Sequence, residues 1–280
     1  ILQKGDNYQY ATNGDTIRFL VQFNEEIVIP ENKEDRTFIL TINGKEVKFQ
    51  RSQGAGYEYI AEYKIPKDEA NLAEGELTFS ISGYKDAAGH MGEPITAAKH
   101  YKYYKVTYDK TPIWYDLYQP GERPVKVVDT VELDGKLYIG EPAEVQFHDN
   151  YRIDSIQVNN EKPYVTSQGV TGQIKNITEP GEYTYTLIDG AGLVTKVTIV
   201  YVANTNYNVP NKDINLTEDV TLVNAPFYNI KENTQDIMIN GNGHTVTQHV
   251  TSVDQFNWTE NWTRTTMGNI FSNPAPYTTV

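Results

Sequence analysis

Cysteine is absent from this 280-residue chain, which removes disulfide staples, thiolate metal sites and cysteine nucleophiles together. Helix signals are almost as scarce. The best of them, Pro66-Lys67-Asp68-Glu69-Ala70-Asn71-Leu72-Ala73-Glu74, is short and runs into Gly75, a residue that stops helices. No apolar run approaches the roughly 20 residues that a spanning helix needs, so membrane insertion is not expected. Clustered basic residues are missing as well: the formal net charge is −13 and the pI about 4.8. Such a field repels a phosphate backbone, which excludes nucleic acid as a partner. The chain also lacks a Gly-x-Ser-x-Gly elbow, a phosphate-binding Gly-Lys-Ser/Thr loop and a His-Glu-x-x-His helix. No catalytic residue is therefore assigned.

What remains is β signal. Hydrophobic residues make up 39% and aromatics 12%, with 21 tyrosines, enough large side chains to fill thin sheets. The length fits two or three domains. In Thr16-Ile17-Arg18-Phe19-Leu20-Val21-Gln22-Phe23 the apolar residues Ile17, Phe19, Val21 and Phe23 fall on one face of a strand. Asn43-Gly44 separates two strand-like runs, and both residues tolerate the positive φ of a type I′ hairpin turn. Further strands are expected over Tyr57 to Ile65, Glu76 to Ile81 and His100 to Tyr108. The pattern breaks at Asp109-Lys110-Thr111-Pro112, with Pro120, Gly121 and Pro124 close behind, as in a short stiff linker.

Beyond that linker the chain repeats itself. Val21-Gln22-Phe23-Asn24 corresponds to Val145-Gln146-Phe147-His148, and Asn43-Gly44 more loosely to Asn159-Asn160. Gly75-Glu76-Leu77-Thr78-Phe79-Ser80-Ile81 corresponds to Gly181-Glu182-Tyr183-Thr184-Tyr185-Thr186-Leu187, and Asp86-Ala87-Ala88-Gly89 to Asp189-Gly190-Ala191-Gly192. The matches occur in the same order while their offset shrinks, as expected when loops are trimmed and strands kept. In the last pair the aspartate caps its own turn and glycine supplies the left-handed residue.

The run Gly181 to Gly192, with a final strand over Val194 to Val202, resembles the end of the bacterial Ig-like domains of Gram-positive surface proteins. That resemblance implies an all-β chain with two tandem Ig-like β-sandwiches, residues 1–110 and 111–203, acting as spacer, stalk or adhesive units. It implies a secreted protein at the cell surface or attached to the cell wall, monomeric as a fragment of a larger chain, with host surface protein or polysaccharide as partner. Both ends of the sequence read as boundaries within such a chain.

After Ala203 the texture becomes rich in asparagine, and the strands shorten. Ile237-Met238-Ile239-Asn240-Gly241-Asn242-Gly243-His244-Thr245-Val246 is similar to the first coils of pectate-lyase-like right-handed parallel β-helix proteins. Residues 204–280 are thus expected to begin a β-helix or to form another small β-domain. A solenoid needs three or more coils, which favours continuation past Val280. The alternative function this implies is an accessory region of an extracellular β-helix polysaccharide lyase or glycosidase.

Four residue groups could carry chemistry. His244 and His249, with Asp254 near, lack a third ligand at a defined spacing and read as polar turn residues. Asp86, Asp149 and Asp189 fall in loops at predicted sandwich ends, where Ig-like modules can hold calcium. Their spacing matches no calcium loop, so turn capping is the expectation and no cofactor is assigned, with calcium the alternative. Glu218 and Asp219 are adjacent acids, and whether any carboxylate pair has hydrolytic spacing is decided by the fold. Trp258, Trp262 and Phe256 form the most unusual cluster; aromatics of this kind stack on sugar faces, which makes them the candidate ligand-binding residues.

Overall fold

In a computed structural model, the structure describes residues 9–29, 38–53, 56–97, 105–121, 126–163, 171–204, 212–225, 228–229, 237–250, 271–272 and 278–279. All regular structure among them is strand. The first stretch contributes β1 (Tyr10–Ala11), β2 (Thr16–Phe23), β3 (Ile39–Ile42), β4 (Lys45–Lys48), β5 (Gln50–Arg51), β6 (Tyr57–Lys64), β7 (Gly75–Glu76), β8 (Phe79–Ser82) and β9 (Thr107–Tyr108). The second contributes β10 (Trp114–Tyr118), β11 (Thr130–Leu133), β12 (Lys136–Ile139), β13 (Ala143–His148), β14 (Ile153–Val158), β15 (Thr171–Ile177), β16 (Gly181–Asp189) and β17 (Val194–Tyr201). The last holds β18 (Ile214–Asn215), β19 (Val220–Val223), β20 (Tyr228–Asn229), β21 (Ile237–Asn240), β22 (Val246–His249), β23 (Phe271–Ser272) and β24 (Thr278–Thr279).

As the scarcity of helix signals led one to expect, no helix forms over residues 66–74. Residues 66–74 make turns, held in part by Glu69, whose carboxylate accepts the Asn71 and Leu72 N–H groups at 3.0 and 3.2 Å. The expected strand over Glu76 to Ile81 is broken between β7 and β8, and they pair in different sheets. Of the expected tyrosine-rich strand, residues 105–108 are described, and Thr107–Tyr108 form β9.

The chain divides into two compact units: Ile1–Ile113 with Asp149–Asp154 and Ile188–Val194, and the remainder. In the first, β2 runs antiparallel to β6 from Thr16↔Lys64 to Phe23↔Tyr57. The alternation of β2 places Ile17 and Phe19 inside, at 1% and 2% exposure. The β3–β4 hairpin turns on Asn43 (φ 48°) and Gly44 (φ 67°), both left-handed as the I′ turn demands. The core is aromatic. Phe38 stacks on Phe49 with centroids 4.3 Å apart and planes 8° apart, while Tyr59 meets Phe38 edge-on at 5.2 Å. Each such ring pair adds about 0.5–1.5 kcal/mol beyond burial. Arg18 and Glu62, facing each other across β2 and β6 at 2.7 Å, are both half exposed and contribute at most about 1 kcal/mol.

The second unit contains the sheets β10-β13-β15 and β11-β12-β17-β16-β14. Their inner faces meet at Phe147 and Tyr185, both fully buried with ring centroids 5.1 Å apart. The β11–β12 hairpin turns on Asp134 and Gly135, again both at positive φ.

The duplicated sequence has a duplicated pairing scheme. β2 with β6 and β13 with β15 are both antiparallel, β3 neighbours β8 as β14 neighbours β16, and β7 neighbours β9 as β16 neighbours β17. Each stretch also has an early strand parallel to its last one: β1 to β9, and β12 to β17. The aspartate turns agree atom for atom. Gly89 N–H donates to the Asp86 carbonyl at 3.0 Å and His90 N–H to Asp86 Oδ1 at 2.8 Å; Gly192 and Leu193 repeat both bonds on Asp189, at 3.2 and 2.8 Å.

The last stretch pairs only in parallel among its described strands: β18 with β21, β21 with β24, β19 with β22, and β20 with β23. Side chains of one pass hold the backbone of the next. Asp213 and Asp219 accept the N–H groups of Met238 and Thr245 at 2.7 and 2.9 Å, and Asn242 Nδ2 donates to the Leu216 carbonyl at 2.8 Å.

Candidate metal centre

Three aspartates converge inside the first unit. Asp109 follows β9, Asp149 follows β13, and Asp189 ends β16. Each offers a carboxylate oxygen, and the three lie within 4.8 Å of one another. Asp109 and Asp149 are 0% exposed and Asp189 1%.

Local geometry explains how each carboxylate is aimed. In every case one oxygen is committed to its own loop. Asp109 Oδ1 accepts Thr111 N–H at 3.1 Å, Asp149 Oδ1 accepts the N–H groups of Tyr151 (2.7 Å) and Arg152, and Asp189 Oδ1 accepts Ala191 and Leu193 at 2.9 and 2.8 Å. These are the side-chain turns that aspartate favours. Oδ2 of all three is buried without a hydrogen-bond partner among the described residues. An unsatisfied buried acceptor costs about 1–3 kcal/mol, more when charged.

The surroundings hold the loops together rigidly. Glu74 straps two of them, with Oε1 accepting Lys110 N–H at 2.7 Å and Thr111 Oγ1 at 2.9 Å, and Oε2 accepting Asn150 Nδ2 at 3.0 Å. Burial alone would raise the Glu74 carboxyl, but the Lys110 and Thr111 hydrogen bonds bring it below its ordinary value. Gly190 N–H donates to the Arg152 carbonyl at 2.8 Å. A Cβ at Gly190 would stand 3.1 Å from the Tyr10 ring and 3.2 Å from Arg152 Cβ, so glycine serves close approach here.

Burial and mutual repulsion govern the electrostatics. Desolvation pushes Asp109 up to about 7, with Asp149, Asp189 and Glu74 adding to the rise against the Thr111 N–H bond. Asp189 goes up to about 6 for the same leading reason. Asp149 is raised too, again chiefly by burial. The neighbouring cations are engaged elsewhere: Lys110 Nζ donates to the Ala70 and Leu72 carbonyls, and Arg152 pairs with Asp154 at 2.9 Å. The cluster can therefore take up protons or a hard cation.

Of the three aspartates expected at sandwich ends, the structure brings Asp149 and Asp189 together and supplies Asp109 in place of Asp86. Asp109 reads in sequence as the start of a linker, and only the fold reveals it. Asp86 instead pairs with His90 Nδ1 at 2.8 Å in an exposed turn. Hydrogen bonding to Asp86 raises His90 above the ordinary histidine value. The stabilisation this pair gives is complete below that ordinary value and fades as pH rises through the raised one. NMR titration should show a raised His90 pKa that returns to normal in Asp86→Asn; equal values in both proteins would remove the pair.

The remaining candidates separate. His244 Nδ1 lies 3.4 Å from Asp219 Oδ1, while the His249 ring packs 4.6 Å from that of Tyr138. Asp254 lies outside the described residues. Asp219 carries the Thr245 N–H, a structural use that lowers its pKa, and Glu218 is exposed beside it. Trp258, Trp262 and Phe256 also lie outside the described residues. A described aromatic that the sequence did not single out is Trp114 on β10, 44% exposed and stacked on His148 at 5.8 Å. A cavity of about 320 Å³ lies among Ile27, Tyr59 and Ala87, with the Glu26–Arg51 ion pair on its wall.

These features define an all-β, sandwich-type protein with a buried acidic cluster. No family model matches the chain, and no curated protein does. Among solved structures it is similar to SGBP-B of the Bacteroides ovatus mixed-linkage glucan utilization locus, in complex with a mixed-linkage heptasaccharide. That likeness has 13% identity and a TM-score of 0.23 over 74% of this chain and 48% of that one. It is also similar to the fibronectin(III)-like modules of Clostridium thermocellum CbhA, at 10% identity and a TM-score of 0.28 over 70% and 88%. Dimeric latent PorU from Porphyromonas gingivalis gives 14% and 0.26 over 72% and 20%. The chain thus spans about half the length of the first and a fifth of the last. At these TM-scores the likenesses carry no weight for ligand or activity. No helix among the described residues is long and apolar enough to cross a membrane.

Proposed function

We propose that this chain is a non-catalytic spacer and adhesive region of a secreted bacterial cell-surface protein. Its modules would be two Ig-like sandwiches, residues 1–110 and 111–203, and the first coils of a β-helix from residue 204. The observation that carries this reading is the repeated pairing scheme, in which each copy sets an early strand parallel to its last. In the first copy β1 opens the module and β9 closes it in the same direction, so the chain enters at one end and leaves at the other, which suits modules strung in series. The parallel pairing of β18–β24, braced by Asp213, Asp219 and Asn242, supports the solenoid assignment.

Polysaccharide is the proposed ligand, met by aromatic side chains. Trp114 with His148 offers one described platform, and Trp258, Trp262 and Phe256 remain proposed contacts. Incubating the chain with pectate, alginate and β-glucan is expected to give binding without new reducing ends. Release of reducing ends or of unsaturated uronates would transfer the protein to the alternative, part of an extracellular lyase or glycosidase. Trp114→Ala should weaken glycan retention about tenfold, the loss of roughly one stacking contact; unchanged retention on affinity electrophoresis would exclude that platform.

A further inference from the structure

We propose that Asp109, Asp149 and Asp189 together bind one calcium ion, a site that ties three distant segments of the chain. The inference rests on how the carboxylates are spent. Each has given Oδ1 to its own loop, and each leaves Oδ2 buried and unpartnered among the described residues. Three carboxyl groups held this way, with Lys110 and Arg152 engaged elsewhere, form a cage that favours a hard cation over buried protons.

The donor set selects the ion. All three ligands are carboxylate oxygens, with no imidazole or thiolate among them, which disfavours zinc and copper and suits a hard cation. The offered oxygens lie within 4.8 Å of one another, inside the roughly 4.6–5.2 Å that separates opposite oxygens across a calcium ion. Magnesium keeps several waters and demands a tighter octahedron, which matches a fully buried cluster poorly. Glu74, bonded to Lys110, Thr111 and Asn150, braces two of the three loops in register.

The bound ion would join the end of β9 to the loop after β13 and the turn after β16. In a chain without cysteine it serves the purpose of a cross-link between segments distant in sequence, adding to the brace that Glu74 supplies. It also gives Asp189 a purpose that its repeat partner Asp86 lacks, since Asp86 caps the same turn but faces His90 at the surface.

Titration calorimetry and thermal melting of the whole chain at neutral pH test this. After EDTA treatment and dialysis, calcium chloride is expected to bind with a stoichiometry of one and to raise Tm by roughly 5 °C at saturating concentration. Magnesium chloride at the same concentration should give a clearly smaller rise. Asp109→Asn and Asp189→Asn each keep the capping oxygen while removing the charge. They should melt in EDTA no lower than the parent and bind calcium at least tenfold more weakly. Absence of any calcium-dependent shift in the parent, or full affinity in both asparagine variants, would overturn the site. A magnesium shift equal to that of calcium would overturn the choice of ion. None of these outcomes depends on whether the protein binds glycans.

Discussion

Tyr59→Ala is expected to destabilise the first unit by about 3–5 kcal/mol, the cost of emptying a large buried aromatic site. The ring is 0% exposed and meets Phe23 and Phe38 edge-on at 5.9 and 5.2 Å. Its hydroxyl also does structural work. It accepts the Ile27 N–H at 2.8 Å and donates to the Ile27 carbonyl at 3.2 Å, pinning the segment after β2 where the backbone has left the ladder. Tyr59→Phe keeps the ring and should cost about 1–3 kcal/mol, because two backbone groups lose their partner in a dry place. Urea denaturation of the three proteins separates the two contributions. If Tyr59→Phe unfolds at the same midpoint as the parent, the hydroxyl is not holding Ile27.

The second large effect is expected at Gly140, just after β12. A Cβ there would stand 2.1 Å from Asn204 Nδ2 and 2.5 Å from the Val223 carbonyl oxygen. Asn204 clamps that same residue, donating Nδ2 to the Val223 carbonyl and accepting the Val223 N–H, both at 2.8 Å. Since one obstacle is backbone, Gly140→Ala cannot be absorbed by turning a flexible side chain. It should cost about 1–3 kcal/mol as overpacking. Asn204→Ala should cost a similar amount through two lost hydrogen bonds to the Val223 backbone. Hydrogen exchange gives the sharper readout. In both variants amides of β19 and β22 should exchange faster, while those of β13 and β16 keep their protection. Uniform acceleration throughout the second unit would show instead that the last stretch and the sandwich unfold together.

Much of the strand layout is legible in the sequence because it depends on short-range chemistry. The period-two alternation of Ile17, Phe19, Val21 and Phe23 sets which face of β2 is inside, although Val21 and Phe23 are only partly covered. Asn43-Gly44 fixes a hairpin through backbone conformations that few other residues accept. Asp86 and Asp189 announce their turns because the capping bond reaches only a few residues. The weak helix signal over 66–74 comes to nothing for the same kind of reason. Glu69 spends its carboxylate on the next turn, and a segment this short cannot offset the cost of helix nucleation.

The acidic cluster shows where that legibility stops. By itself the sequence determined an all-β chain with duplicated segments and capped aspartate turns, since propensity, alternation and turn chemistry are local. It also marked Asp149 and Asp189 as turn residues of possible interest. Only the tertiary structure decided that Asp109, written into an apparent linker, joins them in a buried space while Asp86 does not. Which carboxylates meet is set by where β9, β13 and β16 end relative to one another, and that depends on long-range strand pairing and packing that no local spacing encodes.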